Sequence, residues 1–248
     1  MATHSDAIEH GHHGPEAAHE ALAHHFDNLE QQREAGVLGM WVFIAQEIMF
    51  FGGLFLAYII YRMKYPTVWM AASNHLSWPI GTFNTAVLIT SSLTMAMAVW
   101  ACQVGRSRKV QVGFMAATVF LGLVFLGVKA YEYNDKYVDG LIPIAGLFNP
   151  DPHLVAEWAA AGVTVQNVQM FYWLYFAMTG LHALHMIVGV AIILPIMWWA
   201  WKGRYSPEYH APVENFGLYW HLVDIIWIFL FPLLYLLGAH FHAGGAGH

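Results

Sequence analysis

Residues 170–201 decide the fold of this chain; they read MFYWLYFAMTGLHALHMIVGVAIILPIMWWAW and contain no Asp, Glu, Lys or Arg. A helix rises about 1.5 Å per residue, so a helix of this length exceeds the roughly 30 Å of a bilayer's hydrocarbon core. In lipid a single segment has to satisfy its own backbone amides and carbonyls, which a helix does. The stretch is therefore predicted to be a transmembrane helix.

Four further segments are also long and apolar, namely residues 36–61, 79–104, 110–131 and 215–238. They contain only three acidic or basic side chains, Glu47, Lys129 and Asp224. The whole chain is 58% hydrophobic and 10% charged, whereas about 25% of residues are charged in a typical soluble domain. We predict an all-α, polytopic membrane protein built as a bundle of five transmembrane helices.

The remaining segments predict a simple domain organisation. Residues 1–35 are rich in His and acidic side chains and lack the apolar core of a signal peptide. They are expected to form a flexible cytoplasmic tail, with adventitious metal capture as the alternative. Residues 36–240 form one transmembrane domain, with a long outer loop at 134–169, and residues 241–248 form a short tail. Two prolines inside predicted spans are expected to bend them, Pro195 and Pro232.

The basic residues predict the orientation of the five spans, since cytoplasmic loops carry an excess of Lys and Arg. The side of the N-terminal tail carries Arg33, Arg106, Arg108, Lys109, Lys202 and Arg204. The opposite side carries Arg62, Lys64 and Lys136. We expect a cytoplasmic N-terminus and an external C-terminus.

The single cysteine, Cys102, limits the kinds of redox centre that this chain can contain. One cysteine excludes an internal disulfide, a CxxC pair, a CxxCH haem attachment and an all-cysteine iron–sulfur cluster. It also excludes a copper centre with two cysteine ligands. Nothing in the composition points to nucleic acid.

Glu47 lies about halfway along the first predicted span. Ionisable side chains at membrane depth are costly, so they face a protein interior and pair with other groups. Two interpretations remain open. The structural one is a protonated carboxyl that is hydrogen-bonded to another helix, and the functional one is an acid that buffers or relays protons.

Three histidines and one aspartate lie inside the last two spans. His182 and His185 are three residues apart and share a helix face, as do His221 and Asp224. Asp224 could accept the ring N–H of His221 and set its tautomer. A metal or haem site built from the three histidines is the alternative, although no Glu-x-x-His pattern accompanies them.

Two further polar groups have a structural interpretation. Lys129 and Glu132 are an i, i+3 pair that is expected to neutralise itself near the headgroups. The second span carries small polar side chains, which favour close helix packing over a hydrophilic path. These are Asn84, Thr85, Thr90, Ser91, Ser92 and Thr94.

Each predicted span carries a motif that resembles one helix of cytochrome oxidase subunit III. Residues 39–52 (GMWVFIAQEIMFFG) resemble the helix that bears the family's buried glutamate, and 83–92 (FNTAVLITSS) resemble the next. Residues 129–133 (KAYEY) resemble the end of the following helix, where the family more often has Gln in place of Lys129. Residues 179–189 (TGLHALHMIVG) and 219–227 (YWHLVDIIW) look like the last two helices and are the most specific matches.

The resemblance implies a subunit without redox centres of its own, of the five-helix bacterial form, beside a catalytic subunit I and a subunit II that hold haem and copper. The whole enzyme would reduce O₂ to water and pump protons, with cytochrome c or quinol as electron donor. Subunit III would sustain proton uptake and protect the catalytic subunit, with Glu47 as modulator. His182, His185, His221, Asp224, Lys129 and Glu132 would form a buried polar network. Bound phospholipid, the bacterial cytoplasmic membrane and a larger respiratory supercomplex are further expectations.

Three other functions compete with this one. The first is an accessory subunit of a nitric oxide reductase. The second is a membrane cytochrome with haem on His182 or His221, and the third is an independent transporter or channel.

Overall fold

The computed structural model describes residues 26–144 and 146–236. The short C-terminal tail and residues 1–25 of the predicted N-terminal tail lie outside the described residues, whereas residues 29–35 of that tail form the beginning of the first helix. Within them the chain forms seven α-helices: α1 (Leu29–Lys64), α2 (Pro66–Ser73), α3 (Trp78–Gln103), α4 (Arg108–Val138), α5 (Pro152–Ala160), α6 (Val165–Trp201) and α7 (Ala211–Phe231). A π-helical turn, Pro232–Leu236, continues α7.

Five of these helices are long and apolar enough to cross a membrane: α1, α3, α4, α6, and α7 together with its π-helical turn. The predicted fold class is confirmed. The two proline positions differ, because Pro195 lies within an uninterrupted α6 whereas Pro232 ends α7 and begins the π-helical turn. A proline lacks the amide hydrogen that continues the regular helical ladder, which explains the change at Pro232.

The short helices begin with recognisable local signals. Asp151 caps α5 by accepting a hydrogen bond from the backbone N–H of His153 at 2.8 Å, and Pro152 occupies its first turn. Pro66 likewise occupies the first turn of α2, which begins without a side-chain capping hydrogen bond. The sequence analysis did not anticipate α2, because it lies in the short connection between two predicted spans and is too short to cross a membrane.

The connection between α4 and α6 is shorter than the predicted loop, since it covers only residues 139–164. The helix α4 continues to Val138, where Lys136 pairs with Asp135 at 3.2 Å and with Asp139 at 3.6 Å. Gly140 then reverses the chain with a positive φ of 68°. A Cβ atom at this glycine would lie 2.0 Å from the carbonyl oxygen of Asn149, so only glycine fits there.

The helix α7 lies at the centre of the bundle and is the most buried of the five long helices. It packs against α1, α3 and α6. Its indole Trp220 is fully buried against Gly189 of α6, where an added Cβ would come within 2.9 Å of the ring. The glycine that ends the sequence motif of residues 179–189 therefore allows α6 and α7 to approach closely.

Candidate functional site

Glu47 and His185 meet between α1 and α6. The side chain of Glu47 is 7% exposed, and its Oε2 lies 3.2 Å from Nε2 of His185. The other ring nitrogen, Nδ1, lies 2.8 Å from the carbonyl oxygen of Leu181. The hydroxyl of Tyr219 donates to the backbone carbonyl of His185 at 2.8 Å, so α7 also holds this histidine in place.

The contact brings two acceptors close together. A carbonyl oxygen only accepts, so Nδ1 of His185 has to carry a hydrogen, and the neutral ring then presents Nε2 as an acceptor to Glu47. The 3.2 Å contact is not a hydrogen bond, since Oε2 of Glu47 has no hydrogen-bond partner among the described residues. One further proton on either group would make the contact favourable and would leave the pair without net charge, the least costly state at membrane depth.

An apolar groove of about 470 Å³ borders the pair between α1, α6 and α7. His185 forms part of its wall, together with Met40, Phe43, Val188 and Phe216. The pair thus lies at the edge of an open, hydrocarbon-lined space rather than in the centre of the bundle.

His182, one helical turn before His185, has a different environment. Its side chain is fully buried, and its ring packs against Phe125 and Trp227 at centroid distances of 5.3 and 5.1 Å. Neither ring nitrogen has a hydrogen-bond partner among the described residues.

His221 and Asp224 do not form the predicted pair. The Nδ1 atom of His221 lies 2.7 Å from the hydroxyl of Ser92 on α3. Asp224 is 2% exposed, and neither of its carboxyl oxygens has a hydrogen-bond partner in the described part of the chain. The i, i+3 spacing brings the two residues to one helix face, but a side chain of the neighbouring helix competes successfully for the imidazole.

Lys129 and Glu132 form the predicted i, i+3 pair in the interior of the bundle. Both side chains are 3% exposed, and Nζ lies 2.9 Å from Oε2.

Two tyrosines that the sequence analysis did not single out complete this cluster. Tyr175 of α6 and Tyr235 of the π-helical turn each donate to Oε1 of Glu132, at 2.8 and 2.6 Å. Their hydroxyls also accept from Nζ of Lys129 at 3.2 and 3.0 Å. A buried ion pair needs such extra hydrogen bonds to offset its desolvation. No periodicity in the sequence could have indicated which tyrosines face it.

Three of the six small polar residues of α3 form hydrogen bonds with α7. The indole N–H of Trp220 donates to Ser91 at 3.0 Å, and that of Trp227 donates to Thr85 at 3.1 Å. Together with the Ser92–His221 contact, these bonds attach two separate turns of α7 to α3. Close helix packing, rather than a hydrophilic path, is the arrangement they support.

The predicted polar network is therefore divided into separate groups: Glu47 with His185, His221 with Ser92, and Lys129 with Glu132. His182 and Asp224 have no hydrogen-bond partner within the described ranges. Among residues 26–144 and 146–236, no set of three His, Cys, Asp or Glu side chains converges where a metal ion could bind.

Comparison with known proteins extends over most of the chain. The family profile described as cytochrome c oxidase subunit III matches residues 19–139 and 151–239. The chain is 31% identical over 212 residues to "Cytochrome c oxidase subunit 3" of Thermostichus vulcanus, covering 85% of this chain and 92% of that protein.

Two further relatives have similar coverage. "Cytochrome c oxidase subunit 3" of Corynebacterium diphtheriae is 31% identical over 202 residues, which cover 81% of this chain and 87% of that protein. "Probable quinol oxidase subunit 3" of Staphylococcus aureus is 26% identical over 215 residues, which cover 86% and 94%. The chain is thus similar to subunits of oxidases that are named after two different electron donors, cytochrome c and quinol.

Proposed function

Because the chain belongs to the cytochrome c oxidase subunit III family, we propose that it is an accessory subunit of a haem-copper terminal oxidase. The complete enzyme reduces O₂ to water and pumps protons across the membrane. Subunits I and II of that enzyme hold the haems and the copper, and this chain supports proton uptake and the lifetime of the catalytic subunit during turnover.

The observation that carries this proposal is the separation of the histidines at membrane depth. A haem-copper centre needs several imidazoles aimed at the same metal atoms. Here His185 faces Glu47, His221 faces Ser92, and His182 is enclosed by Phe125 and Trp227. This arrangement supports a non-catalytic role for the chain and argues against its being a membrane cytochrome by itself.

The Glu47–His185 pair supplies a physical basis for a role in proton uptake. One further proton bound by the pair can rest on either group and leaves the pair without net charge. The pair can therefore gain or lose a proton only when a nearby group takes up the opposite change in charge. The proton-conducting groups of a partner subunit would do so. We assign to Glu47 a modulating role and not a catalytic one.

The location and partners follow from the same proposal. The chain lies in a bacterial cytoplasmic membrane, with its N-terminus cytoplasmic and its C-terminus external, in accordance with the excess of Lys and Arg on the N-terminal side. Subunits I and II are its protein partners. Phospholipid fills the apolar groove between α1, α6 and α7, whose lining suits acyl chains.

Purification of the tagged chain in mild detergent tests this function. We expect a haem-copper oxidase to copurify, and we expect its visible spectrum and initial turnover rate to persist after the chain is deleted, while its active lifetime shortens. A Soret band that belongs to the isolated polypeptide would contradict the proposal. Copurification with a nitric oxide reductase alone, or activity as a transporter free of any oxidase, would also contradict it.

A further inference from the structure

Gln46 is a polar side chain that faces outward from the bundle at membrane depth. It follows Ala45 and precedes the buried Glu47, but its own side chain is exposed, since successive residues of a helix are about 100° apart. Gly36 and Tyr61, the ends of the predicted span, lie about 15 Å and about 22 Å away along the helix axis. A glutamine side chain is too short to reach either interface, so lipid hydrocarbon would surround it.

The side-chain amide of Gln46 has no hydrogen-bond partner among residues 26–144 and 146–236. Two other outward-facing polar side chains, Thr82 and Thr90, donate to carbonyl oxygens of their own helix at 2.9 and 2.8 Å. A glutamine amide carries two donor hydrogens and an acceptor oxygen. Leaving these groups unpaired in hydrocarbon is costly, so Gln46 requires a polar partner from outside the described part of the chain.

The outward face of α1 on which Gln46 lies has the spacing of a coiled-coil seam. Its positions are separated alternately by three and four residues, which is a repeat of about 3.5 that keeps one face of a helix against a second helix. This packing is common between helices in membranes. We call these six exposed residues the α1 seam: Gly39, Val42, Gln46, Met49, Gly53 and Leu56.

Two glycines of the α1 seam allow a second helix to come close to Gln46. Gly39 and Gly53 lie one heptad before and one heptad after it, and a Cβ atom added to either would meet no other atom within 4 Å. Packing within the described chain therefore does not require glycine at these positions. At a contact between helices, the absent side chains let two backbones approach closely, which brings the amide of Gln46 within reach of a partner.

The α1 seam is complementary to itself. Two copies of the chain in one membrane have the same orientation, so a twofold axis along the membrane normal pairs their α1 helices in parallel and places each seam position opposite its equivalent. Gly39 and Gly53 then face glycines, and Gln46 faces a second glutamine. Because each amide has donors and an acceptor, the two amides can satisfy each other. An acyl chain would cover the same face without forming a hydrogen bond.

We propose that the α1 seam is the interface of a parallel dimer of this chain, held in register by a hydrogen bond between the two Gln46 amides. A single polar residue within a seam is a known means of fixing the register of paired helices. The proposal goes beyond the accessory function, because it assigns a surface that joins two copies of the chain and, with them, two oxidase complexes. The exposure of α1 agrees with it, since α1 is the least buried of the five long helices.

Photocrosslinking between two differently tagged copies of the full chain, coexpressed in membranes of the host, tests the pairing. A photoreactive amino acid replaces either Met49 of the α1 seam, which is 72% exposed, or the neighbouring Ile48, which is 58% exposed but lies on another side of α1. We expect position 49 to give an adduct of the two tagged copies and position 48 to give none. Adducts of position 49 with lipid alone or with a different polypeptide alone, or equal yields from both positions, would overturn the proposal.

Two pairs of substitutions then test the hydrogen bond and the close approach. Gln46→Leu should lower the yield of the adduct from position 49 about tenfold, whereas Gln46→Asn keeps an amide and should retain most of it. Gly53→Leu should also lower the yield about tenfold, because its side chain separates the helices. Gly127→Leu, at an exposed glycine of α4 with equally open surroundings, should leave the yield unchanged. All these positions are exposed, so the variants should fold.

An unchanged yield in Gln46→Leu would overturn the hydrogen bond, and an unchanged yield in Gly53→Leu would overturn the seam. Copurification separates this proposal from the proposed function. If the oxidase copurifies with this chain but position 49 gives no adduct between copies, the dimer is wrong while the accessory role stands. If the adduct forms and no oxidase copurifies, the accessory role fails while the dimer stands.

Discussion

At the scale of single residues, the contact between Glu47 and His185 matters because it places two acceptors 3.2 Å apart inside the bundle. The hydrogen on Nδ1 of His185 is committed to the carbonyl of Leu181. Oε2 of Glu47 has no hydrogen-bond partner among the described residues, so one further proton would stabilise the contact. That proton could move between the two groups without leaving a net charge in the membrane.

Replacing Glu47 by Gln should retain the contact while removing the exchangeable proton. The amide N–H₂ of Gln can still donate to Nε2 of His185, so assembly and the haem spectrum of the complex should be unchanged. Proton uptake or active lifetime during turnover should fall, by less than the roughly 100-fold loss typical of a direct acid–base group. Stopped-flow proton uptake and activity decay under turnover measure these quantities.

Glu34→Gln is the matched control for this substitution, because Glu34 lies on the same helix but is exposed. We expect it to behave as the unmodified chain. If Glu47→Gln and Glu34→Gln leave proton uptake and active lifetime equally unchanged, the Glu47–His185 pair has only a structural role.

At the scale of secondary-structure elements, one buried cluster connects α4, α6 and the π-helical turn. Lys129 and Glu132 belong to α4, Tyr175 belongs to α6, and Tyr235 belongs to the turn. The ammonium group of Lys129 also lies 5.3 Å from the ring centroid of Trp227 on α7, within the range of a cation–π interaction. The cluster therefore fixes the end of α7 against two other helices.

Replacing Lys129 by Met should destabilise the bundle by about 3–5 kcal/mol, because it leaves the carboxyl of Glu132 buried without its cation. Lys136→Met is the control. Lys136 is also buried, but its partners Asp135 and Asp139 have side chains that are 58% and 40% exposed. Water can solvate those carboxylates, so this variant should lose only about 0–1 kcal/mol. Unfolding in detergent, followed by circular dichroism, gives both values; equal losses would contradict the special role of the Lys129 cluster.

At the scale of the whole molecule, the α4–α6 connection covers one end of the bundle. Its helix α5 places Trp158, which is fully buried, edge-on to His75 at a centroid distance of 6.2 Å. The imidazole Nε2 also lies 4.0 Å from Oε2 of Glu157. His75 lies between α2 and α3, outside the membrane-spanning helices. Burial lowers its pKa, while the charge of Glu157 partly opposes that effect.

The docking of α5 should depend on pH as a consequence. Because the pKa of His75 in the docked state is below its usual value of about 6.5, the undocked state binds the proton more readily. Docking should therefore be strongest above about pH 6.5 and weaken as the pH falls below that value. Charges near His75 are those of Glu157, Lys136 and Asp139. Hydrogen exchange at the amides of α5, corrected for the intrinsic effect of pH, measures this docking.

His75→Asn provides the control for this prediction, since an amide does not titrate in this range. In that variant, the corrected hydrogen exchange at residues 152–160 should no longer show the pH dependence that protonation of His75 causes. An identical pH dependence in both chains would assign the effect to another group.

The sequence alone determined the five membrane-spanning segments, because an apolar segment in lipid has to be helical to satisfy its backbone hydrogen bonds. It also carried the motifs that indicate the family. It also identified Glu47, His185 and Asp224 as unusual, since charge at membrane depth is costly wherever the helix lies. Only the tertiary structure decided their partners. Spacing along one helix defines a face, but it does not reveal which helix lies opposite. His185 therefore meets Glu47 of a helix far away in sequence, while His221 contacts Ser92 and not Asp224, whose carboxyl oxygens have no hydrogen-bond partner in the part of the chain that the structure describes.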